Sequence, residues 1–283
     1  MQCAPPADFS AAVPGTRPPP DTREFVYELK FYVAEADAGA LLDWARRHLS
    51  PDPHGSGAHG DAYRVSSLYF DTAGHDVLAR RGSFARCKYR VRRYGEGEQV
   101  FLERKTRGRY RVFKRRSATR TEALPGLLAP QATRGWSGYW FHRRLLARGL
   151  AAVGRVDYQR IARIGQGSFG PLRLTLDEDL RAWRARTLTF EAQGEGVALG
   201  AGQRILELKF GHTLPAVFKI LIREFAPRLS GISKYRLASE ALGLWSPPRA
   251  RAGVLQTRLA AAAAADIPCE ARPVPACLAP AAY

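Results

Sequence analysis

The chain has little of what most enzymes use for covalent or metal chemistry. It has four cysteines, Cys3, Cys87, Cys269 and Cys277, three of them in the terminal segments. None forms a Cys-x-x-Cys pair, which argues against a disulfide framework or a zinc site and leaves a reduced, cytoplasmic compartment as the expectation. The six histidines lack ligand spacing apart from a loose His54/His59 pair in a Gly/His/Pro-rich loop. No serine or cysteine sits in a nucleophile motif, and no Gly-x-x-x-x-Gly-Lys-Ser/Thr loop is present. Gly165-Gln166-Gly167-Ser168-Phe169-Gly170 matches Gly-x-Gly-x-x-Gly, but Pro171 and a second strand follow it rather than a helix, so it reads as a hairpin. No apolar run is long enough to span a bilayer. Asp8 and scattered prolines near the start, with no basic-then-apolar order, predict no secretion leader.

Lysine is scarce as well. There are seven lysines within a Lys+Arg total of 44, and the 26 acids leave a net charge of +18. Such a surplus favours an anionic partner: nucleic acid, a membrane surface or polyphosphate. The chain is also rich in alanine, glycine and proline, so part of the arginine fits a generic basic surface equally well. Residues 1–22, with Pro18-Pro19-Pro20, read as a disordered lead. Residues 246–283 read as a low-complexity, disordered tail, with a helix conceivable over Val254–Ala265. The folded unit is then 23–245, a single domain.

Period-two patterning predicts strands at Glu24–Val33, Tyr63–Phe70, Cys87–Tyr94, Gln99–Thr106, Arg111–Ser117, Arg155–Arg163, Leu172–Asp177 and Ile205–Phe210. Helices are expected at Glu35–Leu49, Trp136–Arg148, Leu214–Phe225 and Tyr235–Leu244. The polar faces of the strands carry charges two residues apart: Glu28 and Lys30; Lys88, Arg90 and Arg92; Glu103 and Lys105; Arg173, Thr175 and Asp177; Glu207 and Lys209. A solvated sheet face with cross-strand ion pairs would look like this. A barrel with a polar interior would too, with helices covering its apolar outside. Three Glu-x-Lys pairs on separate strands favour the barrel. So do the lysines: Lys30, Lys88, Lys105, Lys114, Lys209 and Lys234 sit on the charged segments, and Lys219 alone lies elsewhere. In a chain that uses arginine freely, lysine marks places that need a compact point charge.

A cationic barrel suits linear polyphosphate, whose hydration it would replace with charge-assisted hydrogen bonds. Glutamate there would hold Mg²⁺ or Mn²⁺ against the phosphates, or merely neutralise neighbouring lysines; for Glu28 and Glu103 both roles are open.

The string Tyr63-Arg-Val-Ser-Ser-Leu-Tyr-Phe-Asp71 resembles a segment of the vacuolar transporter chaperone (VTC) domain, the polyphosphate polymerase family. Glu28-Leu-Lys30, Lys88-Tyr-Arg-Val-Arg92, Phe101-Leu-Glu-Arg-Lys105, Tyr158-Gln-Arg160, Arg173-Leu-Thr-Leu-Asp177, Glu207-Leu-Lys209 and Ser233-Lys-Tyr235 resemble others, in the family's order. The resemblance implies an α+β fold, an antiparallel β-barrel (a triphosphate tunnel) with flanking helices. It implies an enzyme that transfers the γ-phosphate of ATP to a growing polyphosphate chain with Mn²⁺ or Mg²⁺. By motif, Lys30, Arg90, Arg92, Lys105, Lys114 and Arg160 would hold phosphates, with Arg173, Lys88 and Lys209 on the same wall. Glu207 would be the main metal ligand, with Glu28, Glu103 and Asp177 less firmly assigned. Ser233 and Lys234 would close over the phosphates at one mouth. Hydrolytic relatives begin Glu-x-Glu-x-Lys, whereas Val26 precedes Glu28 here, which favours the polymerase-like branch. A non-catalytic polyphosphate-binding module and a triphosphatase of the same fold are the alternatives. The expected partners are ATP and inorganic polyphosphate, with no specific nucleic acid. Export of product would need a separate membrane partner.

Overall fold

The computed structural model describes residues 27–107, 112–191, 194–200 and 202–244. The lead 1–22, the tail 246–283 and the helix expected over Val254–Ala265 lie outside the described residues. Strand β1 (Tyr27–Ala34) leads into helix α1 (Glu35–His48), followed by β2 (Ser50–Pro51), β3 (Ala62–Asp71), the short α2 (Asp76–Ala79), β4 (Cys87–Tyr94), β5 (Gln99–Arg107) and β6 (Val112–Arg120). Then come α3 (Tyr139–Arg148), the long pair β7 (Ala151–Gly167) and β8 (Gly170–Arg184), β9 (Val197–Ala198), β10 (Gln203–Phe210), α4 (Ala216–Phe225), β11 (Arg228–Leu229) and α5 (Lys234–Ala241). Two 3₁₀ segments, Gly82–Phe84 and Thr121–Leu128, fill connections.

Every strand pair is antiparallel, and the ladder runs β11-β1-β10-β8-β7-β3-β4-β5-β6, with β2 and β9 branching from it. The glycine-rich stretch is the hairpin expected. Gly167 pairs with Gly170, whose φ of +111° suits glycine, and Ser168-Phe169 form the tip. Gly211 lies so close to this tip that a side chain there would meet the Phe169 carbonyl oxygen at 2.3 Å.

Helix α1 follows from its sequence. Glu35 and Asp37 sit at its positive end and Arg46, Arg47 and His48 at its negative end, while Ala38, Leu41, Leu42, Trp44 and Ala45 form its buried stripe. That stripe, with Phe218 and Leu221 of α4, covers one side of the sheet through Phe31, Leu174, Leu176, Leu206 and Leu208. Further along the same face, over β3, β4 and β5, Phe141 and Leu145 of α3, Leu78 of α2, and Leu124 and Leu127 pack on Leu68, Phe70, Tyr89, Val91 and Leu102. Each such side chain contributes about 1.5–3 kcal/mol of burial. Both helical layers therefore lie on the apolar faces.

The opposite faces turn towards one another. Lys105 of β5 lies 3.0 Å from Glu28 of β1, although the two strands are six steps apart in the ladder. In a flat sheet six steps span about 29 Å, so the sheet is curled into a barrel. Its closure differs from a continuous ladder. The end strands β6 and β11 do not pair with each other among the described residues, and the seam is crossed by side chains instead.

Candidate functional site

One half of the inner wall comes from β1, β8, β10 and the start of α5. Antiparallel pairing sets Lys30 opposite Glu207 and Glu28 opposite Lys209, with Arg173 opposite Lys209 on the far side. Lys30 Nζ lies 2.9 Å from Glu28 and 3.0 Å from Glu207. Ser233 caps α5, accepting from the Arg236 N–H, and the next residue, Lys234, reaches inward to Asp177 (2.5 Å) and Glu207 (3.5 Å). Arg160 of β7 forks onto Asp177, Nε to Oδ1 at 2.6 Å and Nη2 to Oδ2 at 2.8 Å. Lys209 Nζ is 3.7 Å from Glu207, and Arg173 is held by Asp52 (2.6 Å) and the Tyr63 hydroxyl (2.8 Å).

The other half comes from β3 to β6, and its chemistry differs. Glu103, 1% exposed, binds Arg90 (2.7 Å), Lys114 (2.9 Å) and Arg116 (2.5 Å). Arg92 donates to Ser67 at 3.0 Å, Lys88 donates to Ser233 at 2.8 Å, and Arg116 donates to the Tyr94 hydroxyl at 2.9 Å. Neither Lys88 nor Arg92 has a carboxylate within ion-pair distance among the described residues.

The interior thus carries Lys30, Lys88, Arg90, Arg92, Lys105, Lys114, Arg116, Arg160, Arg173, Lys209 and Lys234, touched by Glu28, Asp52, Glu103, Asp177 and Glu207. Positive charge wins by about six, and the proton affinities of individual groups register it. Burial and the cations Lys30, Lys105, Arg80 and Arg90 push Lys88 down to about 7. Burial also lowers Lys209 to about 8, against the pull of Glu28 and Glu207. Burial would raise the Tyr94 phenol, but Arg92, Arg116 and Lys114 draw it down to about 7. The carboxyls move in the same sense. Burial opposes ionisation of Glu207, yet Lys30, Lys234 and Lys209 hold it well below the usual carboxylate range, and Arg90, Lys114 and Arg92 do the same for Glu103.

All the residues expected from sequence face this one enclosure: Lys30, Arg90, Arg92, Lys105, Lys114, Arg160, Arg173, Lys209, Ser233 and Lys234, with Glu28, Glu103, Asp177 and Glu207. Sequence reasoning missed Arg116, Asp52 and four tyrosines. Tyr63 and Tyr94 bond arginines of the wall. Tyr158 lies under Arg160 and Lys234, and Tyr69, whose phenol burial would raise but Arg90 and Arg92 hold below its ordinary value, stacks on Tyr235 at 5.0 Å. Two of them were within reach of the same rule: Arg116 continues the face of Lys114, and Tyr94 that of Arg92.

The described residues contain no group of three or more His, Cys, Asp or Glu placed to hold a metal ion. Carboxylates do converge in pairs on one ammonium, Glu28 with Glu207 on Lys30 and Asp177 with Glu207 on Lys234. Two carboxylates suit Mg²⁺ or Mn²⁺ when phosphate supplies further oxygens. Glu103 does not share this geometry, because among the described residues no second carboxylate meets it on Arg90, Lys114 or Arg116.

No helix among the described residues is long and apolar enough to cross a membrane. The chain is similar to solved structures at low identity. One is a protein of Hippeastrum provisionally described as an adenylyl cyclase and reported to have a dominant triphosphatase activity (16% identity over 79% of this chain and 99% of that one, TM-score 0.44). Another is a protein of Bacillus halodurans provisionally described as an adenylate cyclase (14% identity, 81% and 95% covered, TM-score 0.43). No curated protein sequence matches the chain. The sequence profile of the VTC domain matches residues 25–242, and with more than half its length so matched the chain belongs to the VTC domain family.

Proposed function

We propose that the barrel binds inorganic polyphosphate and transfers the γ-phosphate of ATP to the end of the chain: a terminal phosphate oxygen bonds to the γ-phosphorus as its bond to the β–γ bridging oxygen breaks, and ADP leaves. The observation that carries this reading is the enclosed surplus of about six positive charges. Left alone it is self-repelling, and a linear chain of phosphates would compensate it along its whole length. Arg90, Arg92 and Arg160 supply planar forks for phosphate oxygens, and Lys88, Lys105 and Lys114 supply point charges. Lys30, Lys209 and Lys234 exchange their carboxylates for phosphate or share both, and Arg173 sits at the Lys209 end of the same wall. Ser233, already bonded to Lys88, brings α5 over one end of the ligand.

The terminal phosphate of the acceptor is ionised near neutral pH, its second pKa being about 6, so the attack needs no general base. What it needs is relief of anion–anion repulsion and an in-line approach, and fixed cations supply both. Glu207 with Glu28, and Asp177 beside them, would hold Mn²⁺ or Mg²⁺, which when bound offsets charge on the transferring phosphoryl group. Glu103 keeps Arg90, Lys114 and Arg116 in place.

A second reading is a non-catalytic polyphosphate binder, in which Glu28, Glu207 and Asp177, each already lying against a lysine, serve only to hold the cations in place. Purified protein with ATP and Mn²⁺ should produce chains visible as a ladder on a gel. Tight polyphosphate binding without chain growth selects the binder. Rapid orthophosphate release from tripolyphosphate without growth selects a triphosphatase.

A further inference from the structure

A second cationic surface lies on the reverse side of the strands that line the charged half of the barrel. On the outer faces of β4, β5 and β6, Tyr89, Arg104 and Arg115 lie in one row, with Arg104 and Arg115 directly opposite each other. Like charges in that position repel, so the pair is a cost that the fold itself does not require. Arg104 Nε is buried without a partner, and neither arginine has a carboxylate within ion-pair distance among the described residues. Helix α3 adds to the row. Trp140, Arg144 and Arg148 follow at four-residue spacing and share a helix face. Arg115 stacks on the Trp140 ring at 4.4 Å, and that ring is fixed by its N–H donating to Ser117 at 2.6 Å. Phe141, beside Trp140, packs on Tyr89 with ring centroids 6.3 Å apart, so sheet and helix arginines border the groove along which α3 meets the sheet.

The position of the groove indicates its ligand. β6 ends the ladder and has no strand on its outer edge among the described residues. Lys114 points inward and its neighbour Arg115 outward, on that same edge strand. A flexible polyanion leaving the interior past Lys105 and Lys114 would turn round one strand, about 5 Å wide, and meet Arg115, Arg104 and Arg144 in turn. A stiff nucleic-acid duplex cannot make that turn.

We propose that the groove of Arg104, Arg115 and Arg144 is an exterior polyphosphate track, which holds the stretch of a long chain that has emerged from the barrel. It rests on the polyphosphate reading of the interior and adds to it a site that only long chains reach.

The test compares tripolyphosphate, which fits inside, with chains of roughly one hundred phosphates. In Arg104→Gln/Arg115→Gln/Arg144→Gln, long-chain affinity should fall about tenfold or more, and its salt slope should become shallower by about three. Tripolyphosphate affinity should stay unchanged. Arg115→Glu/Arg144→Glu, both exposed positions, repeats the test without touching the half-buried Arg104. Unchanged long-chain affinity in folded variants overturns the track. Loss of duplex DNA binding with long-chain affinity intact also overturns it and assigns the groove to nucleic acid. Absence of tripolyphosphate binding in the unaltered protein instead strikes at the interior reading.

Discussion

The two halves of the inner wall are built alike and balanced differently. The half formed by β1, β7, β8, β10 and α5 sets Glu28, Asp52, Asp177 and Glu207 against Lys30, Arg160, Arg173, Lys209 and Lys234. The half formed by β4, β5 and β6 sets Glu103 alone against Arg90, Arg92, Lys114, Arg116 and Lys88, with Lys105 reaching across the seam to Glu28. Nearly the whole surplus thus lies on one side. Among the described residues, carboxylates pair on a shared ammonium only on the other wall. The same period-two alternation has produced one wall with a large surplus of cations and one nearly balanced, through the placing of four acids.

Breaking the grip should have the largest effect. Arg90→Ala with Arg92→Ala removes two arginines that carry charge-assisted bonds of about 1.5–3 kcal/mol each. Tripolyphosphate affinity, measured by calorimetry, should fall on the order of a hundredfold or more. Lys209→Met on the balanced wall should cost far less, and equal losses from the two variants would erase the distinction. Next comes Glu103→Gln, which strands three cations. Removing one partner of a buried ion pair costs about 3–5 kcal/mol, so the melting temperature should drop, and tripolyphosphate should restore much of it. Glu207→Gln should act on the metal instead. The Mn²⁺ concentration needed for turnover should rise about tenfold, or 1.4 kcal/mol, while metal-free tripolyphosphate binding persists. Unaltered metal dependence would remove Glu207 from the metal's ligands.

Much of this was legible in the sequence because a strand's two faces are read directly from its period. Seven of the eight main strands and the four helices lie within four residues of expectation, and Cys87–Tyr94 matches at both ends, whereas β8 runs seven residues past the end expected at Asp177. Pairing order was not legible. Alternation says which way Lys105 points but not that it will meet Glu28 across a seam. The short strands β2, β9 and β11 are two residues each, too short to carry a period. Asp179, at φ +47°, lies where the β7–β8 register shifts; aspartate tolerates that conformation better than most residues, but nothing marks this aspartate out from the others nearby. Arg116 was hidden by the abundance of arginine, and Asp52 by the loop that carries it. The tyrosines escaped notice because an aromatic ring on a strand reads as core, and only their hydroxyls, set among guanidinium groups, show otherwise.

The smallest effect is also the most direct measure of the imbalance. Lys88, at about 7 in the fold against an ordinary 10.5, and Tyr94, at about 7 against 10, both release a proton earlier when folded than when unfolded. Between pH 7 and 9 the unfolded chain therefore binds more protons at these groups, and stability rises with pH across that window; towards pH 10 the phenols of Tyr63, Tyr158 and Tyr235, pushed up by burial, act in the opposite sense. Lys209, at about 8, adds in the same sense above pH 8. Without anions, the melting temperature should climb on the order of 5 °C from pH 7 to 9, whereas firmly paired lysines, charged in both states over this range, would leave it flat. Bound tripolyphosphate raises the proton affinity of the same groups, so it should flatten the climb, and its own affinity should weaken as pH rises above 7. Lys88→Arg, which stays charged throughout, should remove the Lys88 share of both trends. A melting temperature independent of pH over this range, with and without tripolyphosphate, would mean that the β4–β6 wall holds no uncompensated charge.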